Sequence, residues 1–535
     1  MKLLEFETEE KLRGSFYTPK TISNFILKWA FNGNHNCSIL EPSCGDGVFL
    51  ESILEHSYKY SSITAVEIDK AEAKKARKIG LKNLKVLNQD FHIFCNNTKE
   101  KFDIIIGNPP YIRYQYFDRE QQKEAEKIFN SNNIKYNKLM NAWCSFVVGT
   151  CSLLKKNGKL GFVLPAELLQ VSYAKQIREF IVEHFSKITI ISFKKLVFPD
   201  IQQDVVLLLC EKGDEPHHIE HIELDDDKAL ASLDMIRVKT PKKNIYDSTK
   251  WTNYFLDQAE IDFLNAIKSN NLFTKLGDLA RIEVGITTGA NDFFTVPKDT
   301  LDKYNLSEYA KPLVGRSVQI EGINFNNEDW NENYLLNSKS NLLIFPNKKN
   351  LIKNKLAMNY IKYGESQKYN KGYKCGIREE WQIIPSISLS NAFFSRRNNI
   401  YAKIILNEAN AYTTDTMHRV WINNNIEQKA LIASYYNSIS FCCVEIEGRS
   451  FGGGALELMP NEVKNILIPY HIKNIEFFNE IDLMIRKKTN IDKILKYTDN
   501  IILKENLGLD KKDINLAQSI RQKLTTRRLA RKGSK

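Results

Sequence analysis

The sequence predicts an α/β protein with a mainly parallel, seven-stranded sheet in its front part and a second domain behind it. Short apolar runs alternate with amphipathic stretches from residue 1 to about 213. Such alternation builds a parallel sheet covered on both faces. Several runs end in acidic, glycine or Asn-Pro turns. Beyond about residue 276 the pattern changes to Asn-, Tyr- and Lys-rich segments broken by turn residues.

The elements follow in order. Ser38-Ile39-Leu40 is the first strand and leads into Glu41-Pro42-Ser43-Cys44-Gly45-Asp46-Gly47. Val48 to Ser57 has helical character. Ile63 to Glu67 is the second strand, and Ala71 to Ile79 the helix after it. Leu84 to Leu87 ends at Asn88-Gln89-Asp90, and Phe102 to Ile106 ends at Asn108-Pro109-Pro110-Tyr111. Trp143 to Leu154 is helical by period. Lys159 to Leu164, Ile188 to Phe193 and Val205 to Cys210 complete the sheet.

Four segments follow: a first domain over 1–213, a linker or connecting region over 214–275, a second domain over 276–470, and a helical extension with a basic tail over 471–535. The chain's 535 residues exceed one ordinary domain. A 43% hydrophobic and 26% charged composition is globular. The net charge of +12 favours an anionic partner. Nine scattered cysteines without a CxxC argue against a disulfide framework and a zinc site, so no metal is expected. Met1 to Lys11 is charged, and no apolar run of about 18 residues occurs. A cytoplasmic protein without a membrane partner is expected.

The first chemical constellation suits a nucleoside cofactor. Gly45 and Gly47 allow a tight turn and close ligand approach. The loop is neither GxGxxG nor a phosphate-gripping loop. Glu41 and Asp46 would repel a pyrophosphate and suit an ammonium or sulfonium charge. Glu67, ending the next strand, can accept both ribose hydroxyl protons. Asp90 can accept from an adenine amino group, and Phe91 can cover its ring. Loop turns with capping acids are the plainer alternative for any one of these. Their shared placement at strand ends, where open parallel sheets bind ligands, favours a cofactor site.

The second constellation is Asn108-Pro109-Pro110-Tyr111. Consecutive prolines end the ladder and turn the backbone. The Asn108 side chain and the Pro109 carbonyl can both accept hydrogen bonds. Two fixed acceptors on an exocyclic NH2 favour a pyramidal nitrogen whose lone pair faces an electrophilic methyl group. Tyr111 can stack on the base.

With these pieces, the sequence resembles the gamma-arrangement DNA adenine-N6 methyltransferases of restriction-modification systems. The matched segments are Phe16-Tyr17-Thr18-Pro19, Glu41 to Gly47, Val66-Glu67-Ile68-Asp69, Gln89-Asp90-Phe91 and Asn108 to Tyr111, followed by Asn141 to Pro165. The resemblance implies an S-adenosylmethionine-dependent methyltransferase core and a C-terminal DNA-recognition domain. It implies that Tyr17 and Thr18 help hold the cofactor's methionine end and that Glu41 lies near its amino group. Glu67 is then the ribose ligand and Asp90 the adenine acceptor. Ser43, Gly45, Asp46, Gly47, Ile68 and Phe91 complete the expected cofactor site. Phe198, in Val197-Phe198-Pro199, is the match for the aromatic that stacks on an extruded base, although Ile201-Gln202-Gln203-Asp204 departs from relatives. Its alternative is a core or loop aromatic. Extrusion is required because the amino group points into the duplex stack.

The implied substrate is adenine N6 in double-stranded DNA. Cytosine N4 is the alternative, since both amines suit the same chemistry, and Asn108 leans towards adenine. Cytosine C5 chemistry needs a Pro-Cys nucleophile, which the sequence lacks. An RNA or protein amide methyltransferase also suits Asn-Pro-Pro-Tyr, but the long recognition domain argues against it. A DNA-binding module with a dead core is opposed by intact Glu41, Asp46, Asp90 and Asn108.

In the back half, Arg281 to Gly289, Lys311 to Arg316 and Gly448 to Gly454 resemble pieces of the family's recognition domain. Arg113, Thr287, Thr288, Arg316, Arg449 and Gly453 are the expected DNA contacts. Surface loops and solvated charges explain such residues equally simply. The tail from Arg521 to Lys535 holds seven basic residues and no acid, and suits DNA backbone or disorder. No nuclease cluster of carboxylates and Lys is apparent, with little room for one before residue 15. A monomeric methyltransferase acting alone or beside a separate cognate restriction endonuclease is expected.

Overall fold

The computed structural model describes residues 18–34, 36–137, 140–195, 197–198, 204–214, 218–233, 250–351, 353–451 and 453–530. Tyr17, residues 201–203, 215–217, Gly452 and the tail end 531–535 lie outside the described residues. The chain divides into two compact units, one mainly of residues 1–258 and the other mainly of 259–529.

The first unit is built on β1 (Cys37–Glu41), β2 (Tyr60–Glu67), β3 (Leu84–Asn88), β4 (Phe102–Gly107), β5 (Leu154–Pro165), β6 (Lys187–Phe193), β7 (Val205–Glu211) and β8 (His218–Leu224). Their order in the sheet is β3-β2-β1-β4-β5-β7-β6-β8. β7 runs antiparallel to β5 and β6, and the other pairings are parallel. This mainly parallel sheet is of the kind the resemblance implies.

Helices flank the sheet: α1 (Lys20–Phe31), α2 (Val48–Glu55), α3 (Lys70–Arg77), α4 (Phe91–Asn97), α5 (Arg119–Ser131) and α6 (Ala142–Leu153). β7 shows why its sequence is continuously apolar. Val206, Leu208 and Cys210 enter one core with α6, while Val205, Leu207 and Leu209 enter the other with α1 and α2. A strand buried on both faces cannot alternate with polar residues.

The eighth strand corrects the expected seven and the linker assignment from residue 214. In β8, Ile219, Ile222 and Leu224 are interspersed with His and Glu, so the segment resembles surface. It pairs in parallel along the whole of β6, from Lys187 with His218 to Phe193 with Leu224. Trp251 and Tyr254, also in the expected linker, are buried in the first unit's core.

The second unit contains a five-stranded sheet of Ala280–Val284, Met417–Ile422, Ala392–Ser395, Ile404–Asn407 and Asn324–Phe325, in that order. A four-stranded sheet comprises Thr295–Val296, Asn341–Leu343, Ala310–Val314 and Tyr412–Thr413. Helices Phe478–Arg486, Ile491–Thr498 and Lys511–Leu529 are integral to this unit rather than an appended extension. Ile481, Ile485, Ile494, Leu495, Ile514 and Ala517 share one apolar core with the residues of the five-stranded sheet. The amphipathic periods of Phe478–Arg486 and Ile491–Thr498 are satisfied by that burial.

Candidate active site

Four adjacent strand ends place the predicted chemistry together. In sheet order they present Asp90 after β3, Glu67 ending β2, Glu41 ending β1 and Asn108 after β4. All four line a cleft of about 520 Å³. Thr18, Ser43, Gly45, Asp46, Ile68, Phe91 and Pro110 line it too.

The glycine loop is shaped by backbone need. Gly47 caps α2 at φ +100°, and an added Cβ would meet Ile79 Cδ1 at 2.4 Å. Gly45, at φ +54°, has open space where a Cβ would sit and donates its N–H to Glu67 Oε2 at 2.9 Å. Glu67 Oε1 accepts from the Asp69 N–H at 2.8 Å. Each Glu67 oxygen therefore retains acceptor capacity.

Glu41 is 1% exposed, and both its oxygens are buried without a hydrogen-bond partner among the described residues. Burial, then the nearby Glu67 and Asp46 charges, pushes its carboxyl well above the usual range. Burial also raises Glu67 and Asp46; backbone N–H bonds oppose this at Glu67. Asp90 behaves differently. Burial works against its ionisation, but bonds from His92, Gln121 and the Ile93 N–H hold its carboxyl below the ordinary value.

Asp90 also caps α4, with Oδ1 accepting from the His92 N–H at 2.7 Å and the Ile93 N–H at 3.2 Å. Gln121 Nε2 donates to Asp90 Oδ2 at 3.1 Å. His92 links Asp90 to Ser145 through its two ring nitrogens, at 3.0 and 2.8 Å. Sequence patterns did not reveal His92, Gln121, Ile112, Tyr116, Phe117 or Phe146, all of which line the cleft. Gln121 carried one local signal: it completes the Asp118 capping box of α5. Phe91 stacks on Phe146 with ring centroids 4.5 Å apart, giving the cleft an apolar wall. Ile68 is an apolar side chain left 57% exposed on the cleft's rim.

Asn108 is held from both ends of its amide. Its Nδ2 donates to Thr18 Oγ1 at 3.1 Å, while its Oδ1 accepts from the Tyr111 hydroxyl at 2.7 Å. The same hydroxyl reaches the Val163 carbonyl at 3.1 Å. Ser43 Oγ donates to the Asn108 carbonyl at 3.3 Å, joining the two loops. Pro109 is buried, and it and Tyr111 are outside the lining of this cleft. Phe198 is 7% exposed and also outside that lining. It belongs to the apolar cluster against which Tyr111 packs.

Two sequence profiles match the chain. "Eco57I restriction-modification methylase" matches residues 40–198, and "Type II methyltransferase M.Eco57I, C-terminal domain" matches 248–503. The chain belongs to the Eco57I-type restriction-modification DNA methyltransferases. It is 24% identical over 529 residues to the type II methyltransferase M.AccI of Acinetobacter calcoaceticus, covering 94% of this chain and 95% of that one. It is 31% identical over 232 residues to M.HincII of Haemophilus influenzae, 43% of each chain. A similar solved structure is a nuclease-deletion mutant of the type ISP restriction-modification enzyme LlaGI in complex with a DNA substrate mimic. Its TM-score is 0.52 at 12% identity, covering 88% of this chain and 55% of that one. That likeness concerns the fold.

The cofactor of this methyltransferase is S-adenosylmethionine, and the cleft's groups fit it. Unpartnered Glu41 suits an ammonium, the Glu67 oxygens suit vicinal hydroxyls, and the Phe91–Phe146 wall suits an aromatic ring. Among the expected DNA contacts, Arg113, Thr287, Arg316 and Gly453 are exposed. Thr288 is 1% exposed, its hydroxyl bonded to Asn291 Oδ1 at 2.5 Å. This turn bond makes Thr288 structural, correcting its place among the surface contacts. Arg449 is drawn into an ion pair with buried Glu462 at 2.7 Å. The tail is also corrected before residue 530: Arg521 and Arg528 are buried within Lys511–Leu529 and bonded to Asp492 and Glu445.

Proposed function

We propose that this DNA methyltransferase methylates adenine N6 in double-stranded DNA after extruding the base. The observation that supports it is the fixed Asn108 amide in the same cleft as Glu41, Glu67 and Asp90. S-adenosylmethionine supplies an electrophilic methyl group when bound. Glu41 would receive its ammonium, and Tyr17 and Thr18 would help hold its methionine end. Glu67 accepts its ribose hydroxyls. Asp90, braced by Gln121 and His92, accepts from its adenine amine while Phe91 and Ile68 bound the ring. Ser43, Gly45, Asp46 and Gly47 shape the turn beneath it.

The Thr18 bond orients Asn108 so that Oδ1 faces away as an acceptor. That oxygen has two lone pairs and accepts one amine proton beside the Tyr111 hydroxyl. The Pro109 carbonyl accepts the other, and Pro110 forms the adjacent wall. This electrostatic positioning favours a nitrogen lone pair directed at the methyl donor. Phe198 and Tyr111 sandwich the extruded ring. Cytosine N4 is the second reading, because its amine presents the same two protons.

The first unit, mainly residues 1–258, carries catalysis and the second, mainly 259–529, target recognition in this proposal, with Arg113, Thr287, Arg316 and Gly453 at the DNA. The enzyme acts as a cytoplasmic monomer, alone or beside a separate cognate endonuclease. Sequencing that detects modified bases on DNA treated with the protein tests the substrate. N6-methyladenine in a fixed sequence word is expected, and N4-methylcytosine alone would overturn the adenine assignment.

A further inference from the structure

We infer that Lys368, Lys371 and Lys374, with Tyr373, form a contact surface for the phosphates of duplex DNA. This rests on the DNA-methyltransferase reading and names a second-unit surface that engages the substrate. None of these residues was singled out by sequence motifs.

The three lysines recur every third residue and are exposed. None forms an ion pair with a carboxylate among the described residues. This contrasts with Lys348 and Lys339 of the same unit, which pair with Glu365 and Asp292. Tyr373 is 79% exposed, Ile377 four residues later is 68% exposed, and Lys374 Nζ lies 5.9 Å from the Tyr373 ring centroid. The segment thus presents uncompensated cations around an apolar pair. A groove-facing side chain with flanking phosphate contacts needs this combination.

The segment rests on buried side chains: Cys375 is buried, and Phe293 stacks on Tyr360 of helix Lys355–Ser366 and meets the Trp381 ring.

The same segment also braces a loop already expected at DNA. Arg378 Nη2 donates to the Thr287 carbonyl at 3.2 Å and the Thr288 carbonyl at 2.7 Å. A Cβ added to Gly289 would meet Lys374 Cβ at 2.9 Å. Gly372, Lys374 and Arg378 therefore lie against the 287–289 loop, which carries exposed Thr287. The charge of the row and the anionic lattice of a duplex are complementary.

The test compares wild type with Lys368→Gln/Lys371→Gln/Lys374→Gln in the full chain. Fluorescence anisotropy reports binding to a 30-base-pair duplex, a length chosen to be about three turns, across a salt series. Each lost phosphate contact lowers the slope of log affinity against log salt by about 0.9, so a fall of about 2.7 is expected. Lys493→Gln/Lys496→Gln/Lys504→Gln, exposed lysines of the same unit, should leave most of the slope intact. Tyr373→Ala should weaken binding at fixed salt while retaining the slope. Cofactor affinity and thermal unfolding confirm that each variant is folded. An unchanged slope in the first triple variant, or an equal fall in both triples, overturns the assignment. The methylated base is read separately. Cytosine N4 product would defeat the adenine proposal while leaving this test intact.

Discussion

The two units handle buried charge in opposite ways. In the second, Arg528 is 2% exposed and offers a two-pronged contact to Glu445, with Nε–Oε2 at 2.8 Å and Nη2–Oε1 at 2.7 Å. Its remaining donors reach the Asn399, Gly454 and Ile400 carbonyls. Arg486 likewise engages Asp329, Asp482 and the Asn324 carbonyl. In the first unit, Glu41 alone among the described carboxylates has both oxygens buried without a hydrogen bond. A saturated buried ion holds a fold together, whereas an unsaturated one at a cleft marks a place for a ligand.

The largest effect should come from breaking the saturated pair. Arg528→Ala leaves Glu445 buried without its cation and should cost about 3–5 kcal/mol of stability. Arg528→Met with Glu445→Leu should recover much of that loss. Urea unfolding measures both, and calorimetry should find cofactor affinity unchanged in the folded variants. A single variant as stable as wild type would contradict the structural role given to this pair.

Asn108→Ala should reduce the chemical step by at least about two orders of magnitude, the scale associated with a misplaced reacting group. Single-turnover methylation measures it, with cofactor affinity nearly retained. Asn108→Asp should fall between the two, because it accepts a proton but alters the field. Wild-type turnover in the alanine variant would remove Asn108 from the mechanism.

Glu41→Gln sharpens the contrast because it should move stability and binding in opposite directions. Cofactor affinity should fall by about 1.5–3 kcal/mol, the range for a bond to a charged group. The cofactor-free protein should become more stable, because an unpaired buried acid has been neutralised. The pH sign follows from the raised folded-state carboxyl. The folded chain keeps a proton that the unfolded chain releases above about pH 4.3. Stability without cofactor therefore falls as pH rises from there towards the folded value, and Glu41→Gln flattens that fall. Cofactor affinity rises over the same window as Glu41 ionises. Matching pH profiles in wild type and variant would place the ammonium elsewhere.

Phe198 tests whether an aromatic of the apolar cluster also serves the base. Phe198→Leu keeps an apolar but smaller side chain and should cost less in folding than the about 3–5 kcal/mol of a Phe→Ala truncation. Stabilisation of an extruded base should fall by about 1–3 kcal/mol. A 2-aminopurine at the target position should brighten less in this variant than in wild type. Equal brightening and turnover would assign Phe198 to packing alone.

The smallest effect concerns the brace. Gln121→Ala should weaken cofactor binding by about 0.5–1.5 kcal/mol, one ordinary hydrogen bond's share. Calorimetry should find catalysis at saturating cofactor little changed. Full loss of binding would show that Gln121 touches the cofactor rather than positioning Asp90.

Much of the first unit was legible because strand-end chemistry is local. Glu41, Glu67, Asp90 and Asn108 each follow an apolar run, and the parallel topology then brings those ends together. The helices after β1 and β2 are equally visible, as Val48 to Ser57 and Ala71 to Ile79. β8 escaped because an edge strand with alternating His and Glu resembles solvent-exposed chain until β6 supplies its partner. His92 and Gln121 escaped because their importance lies in contacts with Asp90, and Gln121 reaches across 31 residues to make one.

The sequence by itself determined the order of strands and turns, the clustering of acids at strand ends and the Asn-Pro-Pro-Tyr acceptor loop. Local patterning suffices there, because periodicity and turn chemistry act over a few residues. Only the tertiary structure decided which charges are spent. Arg449, Arg521 and Arg528 read alike as basic residues available to DNA, yet each meets an acid brought close by folding. Lys368, Lys371 and Lys374 are no more basic in sequence, but their exposed side chains have no carboxylate partner among the described residues. Charge is written in the residue, whereas its compensation depends on neighbours tens or hundreds of positions away.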